Sequence, residues 1–349
     1  MDLLKRAKEF RKRFVSPLAL VSRGIMGMNQ RNINYIGRYN QRSRFPAVDD
    51  KLLTERLAEA WGVKTPVLIA TIHNQQDIQH LPELIGSLNG FCIKPAKGSG
   101  GKGILIIREY NQAAGIFVKS SGQELDVHAL KRHLSNILAG LFSLGGRPDI
   151  ALIEELIHAD RAFADYSYEG VPDIRVIVFQ GFPVMCMLRL STSASDGRAN
   201  LHQGAVGVGL CLRTGRAVRA VQYNLPLKFH PDTGKLLSRI RVPYWNEVLE
   251  LASSCYEMTG LGYIGTDVVL DQDKGPMVME LNARPGLTIQ ICNNAGLLPR
   301  LRLVTALTRH CRLGVKDRVA FAQSYFGVFR DDQPEPAGDD RSGNPGTDT

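Results

Sequence analysis

An α+β protein is predicted by three features of the sequence. β-prone runs are joined by glycine-containing turns, helix-period segments lie between them, and the 349 residues exceed the ~100–200 usual for one domain. Two lobes, or one domain with appendages, is the expectation that length sets. With 44% apolar and 22% charged residues, the composition is that of an ordinary globular protein and excludes a fibrous or wholly disordered chain.

Taken in order, Leu3, Ala7, Phe10 and Phe14 stand at helical spacing among Lys and Arg, which predicts a short basic amphipathic helix over 2–14. Residues 22–48 read as irregular and rich in Arg and Asn. From Asp50 a helical period runs to Ala60 and stops at Gly62, and 67–71 read as a strand. Residues 91–94 and 104–107 are β-prone runs joined by the glycine-rich segment 97–103, a strand–loop–strand unit. A helix is expected over 125–139, a buried strand over 150–157, and two strands over 174–190 around a Gly-Phe-Pro turn. Residues 245–258 read as a helix, and 265–270 and 276–281 as strands. No internal repeat is evident. From 330 to 349 the chain is Pro, Gly, Asp and Ser without apolar period, a disordered acidic tail.

Six scattered cysteines without CxxC pairs argue against a zinc site and a disulfide framework and fit a reducing cytoplasm. The most apolar stretch, 174–190, is interrupted by Arg175 and by Gln180-Gly181-Phe182-Pro183. It falls short of the ~20 apolar residues of a membrane span, so no transmembrane segment is expected. The N-terminus carries charge without the apolar core of a signal peptide, so export is not indicated. Residues 1–44 hold eleven Lys/Arg against Asp2 and Glu9, a local +9 that equals the net charge of the whole chain. Such a basic arm suits RNA, an acidic protein or an anionic membrane surface, or is simply a solvated extension.

Two constellations carry chemistry. Gly98, Gly100 and Gly103 satisfy GxGxxG, but a strand-like run follows where a dinucleotide fold needs a helix. Lys102 is followed by Gly103, so this is not a Walker A sequence. A glycine loop between strands can close over phosphates with its backbone N–H groups, and Lys94 on the preceding strand adds a cation; taken alone, the segment is equally a tight glycine hairpin with a surface lysine. The second constellation is Asp267 on one strand with Glu280 and Asn282 on the next. Positions i and i+2 of a strand share a face, and two carboxylates with an amide oxygen suit Mg²⁺. Alone, Glu-Leu-Asn also reads as an ordinary strand end.

The succession "DKLLTERLAEAWGVKTP", "IKPAKGSGGKGI", "IEELI", "DIRV", "RANLHQGA", "GTDVV" and "MELNARPGL" resembles, in order, the ATP-grasp ligases, and within them the RimK-like glutamate ligases. The similarity covers roughly residues 50–310, and "MELNARPG" is its strongest single piece. The resemblance implies an ATP-grasp fold: two α+β lobes clasping ATP, with a short basic extension over 1–49 in place of a full preceding domain. The ligase domain would span 50–315, with the nucleotide flap lobe over 65–155 and the metal-binding lobe over 156–315.

By matching position, the resemblance implies Lys94 as a phosphate contact and Gly98, Ser99, Gly100, Gly101 and Lys102 as the mobile flap. It implies Glu155 and Leu156 as the hinge whose backbone reads adenine, Asp173 as a nucleotide-contacting carboxylate, and Arg198 and Asn200 as the loop beside the transferred phosphate. Arg189 would be a cationic strand residue facing the same cleft, and Asp267, Glu280 and Asn282 the magnesium ligands. His202 reads more simply as a loop histidine making local hydrogen bonds than as a general base.

The implied activity is an ATP- and Mg²⁺-dependent carboxylate–amine ligation through an acyl-phosphate, with Mn²⁺ able to substitute. It would add glutamate or another amino acid to a peptide or protein acceptor. A small-molecule kinase of the same fold and a nucleotide-binding scaffold without turnover are the rival readings. Family members carry a folded domain ahead of the region that starts here at Asp50, so acceptor specificity is expected to lie elsewhere, with the basic arm docking an acidic macromolecular partner.

Overall fold

The computed structural model describes residues 15–86, 88–98 and 100–327. The helix expected over 2–14 and the tail expected over 330–349 lie outside the described residues. Ser16 starts helix α1 (Pro17–Ser22) by accepting the Ala19 N–H on its hydroxyl at 3.1 Å, with Pro17 in the first turn. Residues 28–49 are not irregular: they form short helical turns, a six-residue π-helix (Arg31–Ile36) and α2 (Pro46–Asp49). Helix α3 (Lys51–Trp61) is capped by the Asp50 carboxylate, which accepts the N–H groups of Leu52 and Leu53, and Gly62 closes it.

A six-stranded antiparallel sheet follows. It comprises β1 (Leu68–Ile72), β2 (Phe91–Pro95), β3 (Leu105–Asn111), β4 (Ile116–Lys119), β5 (Glu124–Asp126) and β6 (Ala151–Glu155), in the order β1-β6-β2-β3-β4-β5. Helices α4 (Gln75–Gln79), α5 (Leu81–Ile85) and α6 (Val127–Leu138) bury Ile78, Leu81, Ile85, Leu130, Leu134 and Ile137 in a core shared with Phe91, Ile93, Phe117 and Ile153. Helix α6 shows the apolar i, i+4, i+7 period at Leu130, Leu134 and Ile137 that makes such a face.

The second sheet has seven antiparallel strands. They are β7 (Asp173–Phe179), β8 (Phe182–Leu190), β9 (Val206–Leu210), β10 (Ala217–Gln222), β11 (Leu225–Leu227), β12 (Tyr263–Asp271) and β13 (Gly275–Asn282), ordered β11-β10-β9-β8-β7-β12-β13. The β7–β8 turn is Gln180-Gly181, both at positive φ (48° and 82°), while Phe182 and Pro183 belong to β8. A two-residue turn of that kind matches strand twist, and the register shift opposite Pro183 supplies the irregular position a proline needs inside a sheet. Helices α7 (Trp245–Thr259), α8 (Ile289–Asn293), α9 (Leu298–Leu307) and α10 (Val315–Phe326) pack on this sheet. Among the described residues no helix is long and apolar enough to cross a membrane.

The segment after α1 belongs to the core of this second sheet. Met26, Tyr35, Ile36 and Val48 are buried there, and the Tyr35 ring meets Phe179 edge-on at 5.5 Å. Polar side chains pin the segment to distant backbone. Gln290 accepts the Met26 and Leu297 N–H groups and donates to Met26 O. Asn40 donates to the carbonyls of Tyr263 (2.7 Å) and Ala283 (3.3 Å) and accepts the Tyr263 N–H (2.8 Å). Replacing Asn40 by Ala strands those buried groups, each worth ~1–3 kcal/mol when unsatisfied. Asn40→Ala is therefore expected to lower unfolding stability by about 2–4 kcal/mol in urea denaturation, and an unchanged midpoint would show that the segment does not hold the fold.

Candidate active site

One face of the second sheet gathers charge. Asp173 and Arg175 alternate along β7; Asp173 lies opposite Arg189 of β8 and Arg175 opposite Asp267 of β12. Asp267 in turn faces Glu280 of β13, and Asn282 lies two residues on. Directly paired residues and i, i+2 neighbours share a face, so four strands present Asp173, Arg175, Arg189, Asp267, Glu280 and Asn282 together.

The side chains interlock. Arg175 grips both Asp267 oxygens, with Nη2 at 2.6 Å from Oδ2. Arg189 divides itself between Asp173 (2.5 Å) and Asp267 (2.7 Å). Burial alone would raise the Asp267 carboxyl, but Arg175 and Arg189 outweigh it and hold the group below the ordinary range. Burial likewise pushes Asp173 up, to about 6, because Arg189 offsets it only in part and the Asp267 charge opposes ionisation. The difference follows from donor count: Asp267 receives N–H groups from two guanidinium groups, Asp173 from one.

Glu280 is the open member, with 36% of its side chain exposed. Asn282 donates its Nδ2 to Asp267 at 3.4 Å, and among the described residues its Oδ1 accepts no hydrogen bond. Oxygen donors of this number and kind suit Mg²⁺, which takes one or two carboxylates and leaves positions for phosphate. The residues therefore fit the ion, Glu280 and Asn282 with free oxygens and Asp267 behind them.

The first sheet supplies cations and a glycine loop. Lys94 on β2 is buried and ion-paired with Glu154 on β6; burial would lower its pKa, but the Glu154 charge and hydrogen bond, together with the Glu55 charge, outweigh that and raise it. Gly100, Gly101 and Gly103 have φ of 65°, 75° and 77°, values open to glycine at little cost. At Gly103 a Cβ would also stand 2.6 Å from the Phe142 ring, and the His133 ring meets Gly103 O at 3.0 Å. The near end of the loop is fixed by Asp149, whose oxygens accept the Lys97 N–H at 3.1 and 3.0 Å. Gly100 and Gly101 have open space around the missing Cβ, between these two anchored ends.

Lys51, the first residue of α3, joins the two sheets. Its Nζ donates to Gly98 O at 2.9 Å and stands 3.8 Å from Glu280 Oε1. Burial lowers its pKa, opposed by Glu280 and aided by Lys94. Glu155 ends β6, where the chain leaves the first sheet; its N–H donates to Val67 O at 3.0 Å and its carboxylate pairs with Lys274. Leu156 follows.

The structure thus brings Asp173, Arg189, Asp267, Glu280 and Asn282 into one cluster and places Lys94 and the glycine loop across from it through Lys51. Lys102 is exposed, and Ser99 lies outside the described residues. Arg198 stands in an exposed loop where, among the described residues, it pairs only with Asp196 at 3.7 Å. Asn200 caps a 3₁₀ turn by accepting the His202 N–H at 3.0 Å. His202 is exposed, and among the described residues it makes this local bond through its backbone N–H. Sequence reasoning missed Lys51, Glu154 and Arg175. The alternation Asp173-Ile174-Arg175 on a strand was the available signal for the last.

Comparison with known proteins places the chain. It is 26% identical over 238 residues to a probable alpha-L-glutamate ligase of Maridesulfovibrio salexigens, across 68% of this chain and 56% of that protein, so it spans little more than half the relative's length. Among solved structures, the ATP-grasp ligase PsnB complexed with a minimal precursor superposes with a TM-score of 0.42 at 13% identity, over 78% of this chain and 62% of its own. D-alanine–D-alanine ligase from Bacillus anthracis gives 0.41 at 15%, over 87% and 76%. A family model, sugar-transfer associated ATP-grasp, matches residues 30–306, taking in both sheets and the buried N-terminal segment, and the chain belongs to that family.

Proposed function

We propose that the protein is an ATP- and Mg²⁺-dependent carboxylate–amine ligase that works through an acyl-phosphate in an ATP-containing, cytoplasmic setting. The observation that carries it is the convergence on one sheet face of Asp267, Glu280 and Asn282 with Arg189, bridged by Lys51 to the glycine loop. ATP would lie between the sheets, its adenine against the Glu155–Leu156 backbone and its phosphates under Gly98–Lys102. Lys94 and Lys51 supply positive charge on the loop side, and Arg189 on the other.

Magnesium held by Asp267, Glu280 and Asn282 would neutralise phosphate charge, and Mn²⁺ would substitute through the same oxygens. An acceptor carboxylate oxygen attacks the γ-phosphorus and the bond to the β–γ bridging oxygen breaks, so ADP leaves. Positioning and charge neutralisation do most of this work. An amine then attacks the acyl carbon, phosphate departs with the bonding pair, and the amine proton passes to solvent or phosphate, leaving an amide. Arg198, on its exposed loop, and Asn200 are assigned to the transferred phosphate, and Asp173 to holding Arg189 in place. Closure of the loop tip would keep water from the acyl-phosphate.

Glutamate is the first candidate amine, since the relative in Maridesulfovibrio salexigens is a probable alpha-L-glutamate ligase. The proposed acceptor is a peptide or protein carboxylate. The experiment is ADP release with a panel of amino acids against peptide carboxylates and sugar acids, followed by mass spectrometry of products. A new amide together with ADP and phosphate is expected. ADP with a stable phosphorylated product would mean a kinase, and ATP binding without turnover across the panel a scaffold; either result overturns the proposal.

A further inference from the structure

The N-terminal segment carries an apolar stripe that the protein body leaves uncovered. Helix α1 buries none of its residues. Leu18 is 81% and Val21 64% exposed, on neighbouring turns of one helix face. Among the described residues, every hydrogen bond made by residues 16–22 stays within residues 16–25. The anchor comes immediately afterwards, where Leu298 N–H donates to Gly24 O at 3.1 Å and Gln290 holds both backbone groups of Met26. The apolar face is therefore fixed to the body at its base and turned to solvent. Met28 and Ile33, just past the anchor, are also exposed, at 65% and 70%.

Residues 1–14 lie outside the described residues and enter through sequence alone. Leu3, Ala7, Phe10 and Phe14 continue an apolar period of four, three and four toward α1, flanked by Lys5, Arg6, Lys8, Arg11, Lys12 and Arg13. From residue 10 to residue 48 there is no Asp or Glu, against eight Lys/Arg. Leu and Phe at such spacing among Lys and Arg is the sequence pattern of a segment that lies in a membrane interface, apolar side chains at the acyl boundary and cations against lipid phosphates. A nucleic acid would use the cations but leave the aliphatic stripe wet, so the complementary occupant is a bilayer.

We propose that residues 16–28 dock this protein on the surface of a bilayer carrying anionic phospholipid, lying on it without spanning it. Full-length protein is sedimented with vesicles of phosphatidylcholine alone and of phosphatidylcholine with phosphatidylglycerol. Binding is expected to the second only, weakening as salt screens the headgroup charge. Leu18→Ser with Val21→Ser should lower the partition coefficient about tenfold or more while leaving the melting temperature unchanged. Equal binding to both vesicles, or a variant that partitions like wild type, overturns the proposal. So does wild-type protein that ignores vesicles but binds polyglutamate, which would assign the segment to an acidic polypeptide; a variant with a lowered melting temperature and unaltered partition would assign it to the protein body.

Discussion

Glu280→Ala and Asn282→Ala are each expected to cut kcat/KM on the order of 10²–10³-fold, equivalent to about 3–4 kcal/mol of lost charge stabilisation at the transferring phosphoryl group, with little change in melting temperature. The two expectations rest on the same geometry. Glu280 is partly exposed and its one ionic neighbour among the described residues, Lys51, stands at 3.8 Å, too far for a strong pair. Asn282 gives a single 3.4 Å hydrogen bond to Asp267. Neither side chain holds the fold, so their removal should be felt only at the proposed metal and phosphate positions. Calorimetry gives a readout independent of substrate: Mg²⁺ should strengthen ATP binding in wild type and fail to do so in either variant. Variants that retain Mg²⁺-dependent ATP affinity would remove both residues from the metal site.

The parts of the site legible in the sequence are those written locally. Glycines at 98, 100 and 103 between two β-prone runs announce a loop, and Glu280 and Asn282 at i and i+2 announce a shared face. What could not be read is pairing across long separations. Asp173 stands one residue ahead of the strands expected over 174–190, and only the pairing of β7 with β12 brings Arg175 to Asp267, 92 residues away. Lys94 looks like a free phosphate contact until Glu154 is found beside it. Lys51 opens a helix by every local sign, and only the meeting of the two sheets brings it to Gly98 O and Glu280. The segment over 28–49 lacks an apolar period because Asn40, and Gln290 at Met26 just before it, fasten the chain with side-chain-to-backbone hydrogen bonds, and these leave no periodic trace. Its short turns and π-helix are held by tertiary contact, which propensity does not report.

Asp267 is expected to behave differently from its two neighbours, because it is a structural counter-charge as well as a proposed metal ligand. It is fully buried and receives N–H groups from Arg175 and Arg189, whose side chains are themselves largely buried. Asp267→Ala would leave the Arg175 guanidinium without its counter-ion and Arg189 with Asp173 alone. Breaking one side of a buried pair costs about 3–5 kcal/mol, whereas replacing both partners with apolar side chains of similar volume is often near neutral. Asp267→Ala should therefore lower unfolding stability by about 3–5 kcal/mol, unlike Glu280→Ala. The double variant Arg175→Met with Asp267→Leu should recover most of that loss in urea denaturation. It should recover none of the turnover, since the apolar pair restores packing without an oxygen for metal. The two readouts separate the roles of one carboxylate. Additive stability losses in the double variant, or a melting temperature in Asp267→Ala equal to that of Glu280→Ala, would show that the guanidinium groups find other partners and that Asp267 is not the charge on which this sheet face is built.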